Sequence, residues 1–181
     1  MTKALIISSS IVVLMWISFF SDWILPGEFA SFGIMPRTLS GLKGIIFAPF
    51  IHGSWEHLIS NTGAVFALTF TLFWCYENFA WKVWALSALL DGALVWLLAR
   101  SSYHIGMSGV IFALLGFLLA MGIFKFSLKT LIISGIIFFL YGGALWGVLP
   151  KDPHISWEAH LFGFIAGVFI AKQIAKKNAG D

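Results

Sequence analysis

Six stretches of mostly apolar residues divide this chain, each close to the roughly 20 residues that a helix needs to cross a bilayer. They run from Ala4 to Leu25, Leu58 to Tyr76, Val83 to Ala99, Ile105 to Phe124, Thr130 to Leu149 and Trp157 to about Ala175. The third holds one acid, Asp91. The sixth is uncharged only from Ala159 to Ala171, with Lys172 and Lys176 placed where they can snorkel to the membrane surface. Inside lipid, backbone N–H and C=O groups must be satisfied without water, so runs of this kind fold as helices. The expected fold is therefore all-α: a polytopic membrane protein of six transmembrane helices, forming one domain over residues 1–181. Composition points the same way, since only 10% of residues are charged against roughly 25% in soluble domains. The first run lacks a small-residue cleavage pattern and reads as a spanning helix rather than a removable leader.

Charge narrows the partners and sets an expected orientation. The formal net charge is +3 and the lysines are scattered between apolar runs, so no basic patch offers itself to nucleic acid. Membrane lipid is the expected surroundings, and the oligomeric state is left open. Cys75 is the single cysteine, which excludes an internal disulfide framework and a cysteine metal cluster. No cofactor or metal is expected. Six spans put both termini on one side. That side and the even loops carry Lys3, Lys82, Lys125, Lys129, Lys172, Lys176 and Lys177; the odd loops carry Arg37, Lys43, Arg100 and Lys151. Seven basic residues against four predict cytoplasmic termini. The first loop, residues 26–56, mixes Gly, Pro and apolar residues over a length that implies structure of its own, and reads as a partly embedded interfacial element.

Polar residues inside a membrane mark function, because lipid makes each of them costly. Three groups stand out. His57 and Asn61 lie four apart at the start of the second span and so share one face. Ser108 opens the fourth span within Gly106-Met107-Ser108-Gly109, and His160 opens the sixth within Ala159-His160-Leu161-Phe162-Gly163. Even-numbered spans begin on the same, external side, so topology alone brings a nucleophile, a base and two hydrogen-bond donors to one depth. Small residues recur at Ala159, Gly163, Gly167 and Ala171, and at Gly109, Ala113, Gly116 and Ala120. Such seams let helices approach closely in lipid. Packed together, they would bring Ser108 and His160 within hydrogen-bond reach, as an activated serine requires. Each feature taken singly also admits a packing role: a histidine or asparagine can merely bond a neighbouring helix.

At these positions the chain resembles the rhomboid family, in particular bacterial members with a minimal six-helix core. The resemblance rests on His52-Gly53-Ser54-Trp55-Glu56-His57 followed by Asn61, on Gly106-Met107-Ser108-Gly109, and on Ala159-His160 with Gly163 and Gly167. It implies an intramembrane serine protease in which Ser108 is the nucleophile and His160 the general base. His57, Asn61 and the Ser108 backbone N–H would form the oxyanion hole. The implied substrates are transmembrane segments of other proteins, and the implied location is the bacterial inner membrane, with the site opening to the external side. Two features depart from the family pattern. The first loop lacks the Trp-Arg pair of many bacterial members, and Pro36-Arg37 holds the nearest arginine, which leaves the loop's anchor unassigned. Phe112 stands where a tyrosine often stacks on the catalytic histidine.

The remaining polar residues receive other roles. Glu158 lies on a different face from His160, so a Ser-His dyad is expected rather than a triad. Segment 102–106 is expected to be unwound and to line a wet cavity. Asp91 is expected to be neutral or paired, His52 to fix the first loop, His104 to border the cavity, His154 to be an exposed loop residue and Cys75 to be passive. The rival readings are a rhomboid-like protein that binds clients without cutting them, a small transporter, and a zinc protease. The transporter lacks inverted repeats. The zinc protease lacks a His-Glu-x-x-His motif.

Overall fold

The computed structural model describes residues 1–25, 29–150, 152 and 155–177, and every long element among them is helical. In chain order these are α1 (Thr2–Ile24), the single turn α2 (Gly44–Phe47), α3 (Trp55–Cys75), α4 (Ala80–Leu98), α5 (Ser108–Phe124), α6 (Leu128–Tyr141) and α7 (Trp157–Lys177). Thr2–Ile24, Trp55–Cys75, Glu77–Leu98, Leu128–Val148 and Trp157–Lys177 are long and apolar enough to cross a membrane, and α5 is a shorter apolar helix. The protein is a polytopic helical membrane bundle. His154, expected in an exposed loop, lies outside the described residues.

Helix ends differ from the apolar runs where capping, rather than hydropathy, sets the boundary. α3 starts at Trp55, three residues before its uncharged stretch. There the Ser54 hydroxyl accepts the His57 N–H at 3.2 Å and satisfies one orphan donor of the first turn. α5 starts later than its apolar run, because Ile105 to Met107 are not helical. α6 stops at Tyr141 and the chain tightens into a 3-10 stretch, Gly142–Val148.

α5 occupies the centre. It is apolar all round, as a helix enclosed by neighbours must be, and Gly109 to Leu118 and Ala120 to Gly122 are buried. Helices α3, α4, α6 and α7 surround it, with α7 making the most extensive contact. At about 1.5 Å per residue, its 17 residues span about 25 Å, short of the roughly 30 Å hydrocarbon layer. The irregular segment Ile105 to Met107 precedes Ser108 at this end of α5.

Lipid offers apolar helices no hydrophobic reward for associating, so close packing has to hold them. A Cβ on Gly163 would strike the Gly109 carbonyl oxygen, and one on Gly167 would strike the Ala113 carbonyl oxygen. The two small-residue seams therefore do meet, backbone against backbone. Ala159, the first residue of the α7 seam, packs with Val95, Ala99, Ile34 and Ala48 of α4 and the first loop. α6 is peripheral, with Ile132, Ile136, Phe138, Phe139 and Leu140 facing outward. Ser134 ties it to α5 by donating to the Leu119 carbonyl at 2.6 Å.

The first loop winds through 3-10 turns at Phe29–Phe32, Ser40–Lys43 and Ala48–Phe50 around α2. It exposes Leu39, Ile46 and Phe47 and buries Ile34, Ala48 and Ile51, the two-sided character of an interfacial element. Arg37 is its anchor. With φ at 59°, Arg37 turns its guanidinium onto the end of α4, donating to the carbonyls of Leu97 (3.3 Å) and Ala99 (2.7 Å) and to Ser101 Oγ (2.9 Å). Trp96 Nε1 donates back to the Thr38 carbonyl at 2.8 Å. The tryptophan that braces this arginine thus comes from α4 instead of from the loop.

Candidate active site

Ser108 is the first residue of α5, and Met107 before it supplies no side-chain cap. The first amides of a helix lack intrahelical acceptors and carry the positive end of the helix dipole, so this terminus favours negative charge. Gly106 shapes the approach. Its φ of +106° suits glycine alone, and its N–H donates to the Ala48 carbonyl at 2.9 Å. A Cβ there would collide with His57 Nε2 and stand 3.5 Å from Asn61 Nδ2. Glycine therefore lets two donors from α3 close on the turn that carries Ser108.

Asn61 is oriented by His52. His52 Nδ1 faces the Phe50 carbonyl at 3.4 Å, so that nitrogen carries the hydrogen and Nε2 is left as an acceptor. Asn61 Nδ2 donates to His52 Nε2 at 3.0 Å, which fixes the amide with its nitrogen on the site's side and leaves one N–H uncommitted. Burial, with the neighbouring His57 adding to it, pushes the His52 imidazole from its usual 6.5 down to about 4, consistent with an acceptor role at neutral pH. His52 therefore joins the first loop to α3.

His160 is held on two sides. Its ring stacks on Phe112 with centroids 4.2 Å apart and planes 5° from parallel. Phe112 lies one turn after Ser108, so the stack sets the imidazole beside α5. His160 Nδ1 lies 2.9 Å from the Gly147 carbonyl oxygen. A carbonyl only accepts, so Nδ1 carries the hydrogen and Nε2 of the neutral ring keeps its lone pair. No hydrogen bond joins Ser108 Oγ to His160 among the described residues.

The other polar groups sort themselves by contact. Glu158 turns away from His160 and pairs with Arg100 at 3.5 Å. Asp91 is buried, its Oδ1 without a hydrogen-bond partner and its other oxygen against Gly109. It lines a small cavity of about 20 Å³ with His104, Ile105 and Gly106, large enough for one water molecule. No group of three His, Cys, Asp or Glu side chains among the described residues is arranged to hold a metal.

The structure brings His52, His57, Asn61 and Gly106 together at the turn before Ser108 and stacks His160 on Phe112, while Gly163 and Gly167 pack against Gly109 and Ala113 along α5. Gly147 escaped the sequence reading because it acts through its carbonyl, which any residue possesses. Only the 3-10 tightening after Tyr141 aims that carbonyl at His160.

The family model described as the Rhomboid domain matches residues 40–177. Uncharacterized proteins of Mycobacterium bovis and Mycobacterium tuberculosis are 37% identical over 149 residues, covering 77% of this chain and 62% of their own length. An uncharacterized protein of Mycobacterium leprae is 39% identical over 140 residues, covering 72% of this chain and 55% of its own. The chain thus spans a little over half the length of these relatives.

Proposed function

Because the chain belongs to the rhomboid family, we propose that it is an intramembrane serine endopeptidase that cuts transmembrane segments of other proteins with a Ser108–His160 dyad. The observation that carries this reading is the imidazole of His160, clamped by Phe112 and by the Gly147 carbonyl so that Nε2 is the free, basic nitrogen. A backbone carbonyl here does what a triad carboxylate does elsewhere: it selects the tautomer and steadies the imidazolium as it forms.

In this mechanism Ser108 Oγ attacks the scissile carbonyl carbon while its proton passes to His160 Nε2. The C=O π pair moves onto oxygen, and the uncapped amide of Ser108, the free N–H of Asn61 and the His57 ring receive the resulting charge. His160 then protonates the leaving amine. Water attacks the acyl-enzyme by the same route in reverse. Removing one oxyanion donor costs about 10²–10³ in rate in soluble serine proteases, which sets the expected scale. The excess of basic residues at the termini supports a cytoplasmic placement for them, with the active site toward the opposite face.

The decisive experiment is cleavage of a tagged transmembrane substrate by purified protein in detergent or liposomes. Wild type is expected to cleave, Ser108→Ala to be inactive at unchanged melting temperature, and His160→Ala to be inactive at a lower one, since it loses the Phe112 stack and the Gly147 bond. Sustained turnover by Ser108→Ala would refute the dyad. Binding of substrate without cleavage by wild type would favour a client-binding role.

A further inference from the structure

The residues that carry the chemistry sit on two helices, and something must hold the starts of those helices in register. Ser108 follows the segment Arg100 to Met107, while His160 follows Ile155 and Ser156. These two approaches are bonded to each other. His104 Nδ1 lies 2.5 Å from Ser156 Oγ, and Arg100 Nη2 donates to the Ile155 carbonyl at 2.7 Å.

The direction of each bond follows from its partners. His104 Nε2 faces the Arg100 carbonyl at 3.0 Å, so it bears the hydrogen and Nδ1 accepts. Burial, the largest influence on His104, holds its imidazole below the usual range, in keeping with a neutral ring. The Ser156 hydroxyl therefore donates to His104 and is left with lone pairs directed elsewhere. One of them accepts the Ala159 N–H at 3.4 Å, the bond of an N-cap on α7. His104 in turn is locked to the first loop by paired backbone bonds with Ile34, both 2.9 Å. The chain of contacts runs from Ile34 through His104 and Ser156 to Ala159, the residue before His160. His104 is four residues before Ser108, and Ser156 is four residues before His160, so one hydrogen bond ties the chain together four residues ahead of each of them.

We propose that His104 and Ser156 are positioning residues, their hydrogen bond setting the first turn of α7 against the segment leading into Ser108 and so holding His160 in reach of the nucleophile. The inference rests on the serine-protease reading for its kinetic consequence, though not for its structural one. A displacement of about 1 Å at a reacting group can cost up to 10²-fold in rate.

The test compares wild type, Ser156→Ala, His104→Ala, their double variant and Ser156→Thr in the full chain, using a transmembrane substrate and hydrogen–deuterium exchange. Each single loss variant is expected to lower kcat about 10-fold, within that ceiling, with KM within about twofold of wild type. The double variant is expected to fall well short of the product of the two single losses, because the residues share one bond beside the cap that Ser156 makes and the Arg100 carbonyl that His104 holds. Ser156→Thr retains the hydroxyl and is expected to restore most of kcat. Exchange at the Ala159 to Phe162 amides is expected to quicken in both loss variants. Lowered melting temperature with unchanged kcat, or multiplicative losses in the double variant, would overturn the proposal. If wild type neither cleaves nor reacts with a fluorophosphonate at Ser108, the protease reading fails alone. Exchange at Ala159 to Phe162 then decides the positioning contact, and unchanged exchange in His104→Ala, which keeps the Ser156 cap on Ala159, would end it.

Discussion

His57 and Asn61 reach the start of α5 only because residue 106 has no side chain, so three residues far apart in the chain depend on one another. Replacing Gly106 with Ala forces a Cβ into His57 at a φ that L-residues avoid. That variant is expected to lose about 1–3 kcal/mol of stability from backbone strain, together with nearly all activity, as melting curves and cleavage assays would show. Asn61→Ala and His57→Ala probe the oxyanion assignment. If these groups meet charge that develops only in the transition state, kcat falls by about 10²–10³ while KM changes little. Steady-state kinetics on each variant settles this, and an unchanged kcat with a lowered melting temperature would assign both residues to packing. The identity and spacing of these residues were legible in the sequence. The orientation of the Asn61 amide was not, because it depends on which nitrogen of His52 is free, and Phe50 decides that through its carbonyl.

At the scale of elements, the α5–α7 seam and the Arg37 anchor are the two joints that place the site. Gly163 faces the backbone of Gly109 directly after Ser108, so Gly163→Val has to push the helices apart. Overpacking usually costs about 1–3 kcal/mol, and the obstacle here is backbone that cannot rotate away, so the upper end is expected. Activity is expected to fall with stability in parallel, and a fully active variant with an unaltered melting temperature would show that the seam does not set the dyad. Arg37→Ala removes three donations that join the first loop to the end of α4. A loss of about 1–3 kcal/mol is expected, given that hydrogen bonds from a charged donor each contribute about 1.5–3 kcal/mol and these are partly open to solvent. Faster proteolytic nicking of residues 29–50 in this variant would report the released loop. The seam was visible as a four-residue repeat of small side chains. The anchor was not, because its tryptophan is Trp96, nearly sixty residues beyond the arginine it braces.

For the molecule as a whole, acid is expected to weaken the joint between the first loop and α3. His52 titrates near 6.5 when unfolded and about 4 when folded. Between those values the unfolded chain binds more protons than the folded one, so stability falls as pH drops through that window. The contribution is fully present above about 6.5 and lost once pH passes below about 4. Melting temperatures of wild type and His52→Gln across pH 4 to 7 test this, with a shallower pH dependence expected for the variant, which keeps an acceptor for Asn61 and cannot protonate. Equal slopes in the two proteins would remove His52 as the cause. Hydropathy by itself determined the helical class, the number of spans and their alternating direction, because lipid admits few ways to satisfy a backbone. Motif spacing then placed Ser108, His160, His57 and Asn61 at helix starts on one side. What the tertiary structure alone decided were the contacts that make those residues act together: the Gly147 carbonyl on His160, His52 on Asn61, and Ser156 joined to His104. Each joins segments distant in the chain, through a backbone group or a tautomer that no residue code records, and only the packed bundle brings the partners within hydrogen-bond distance.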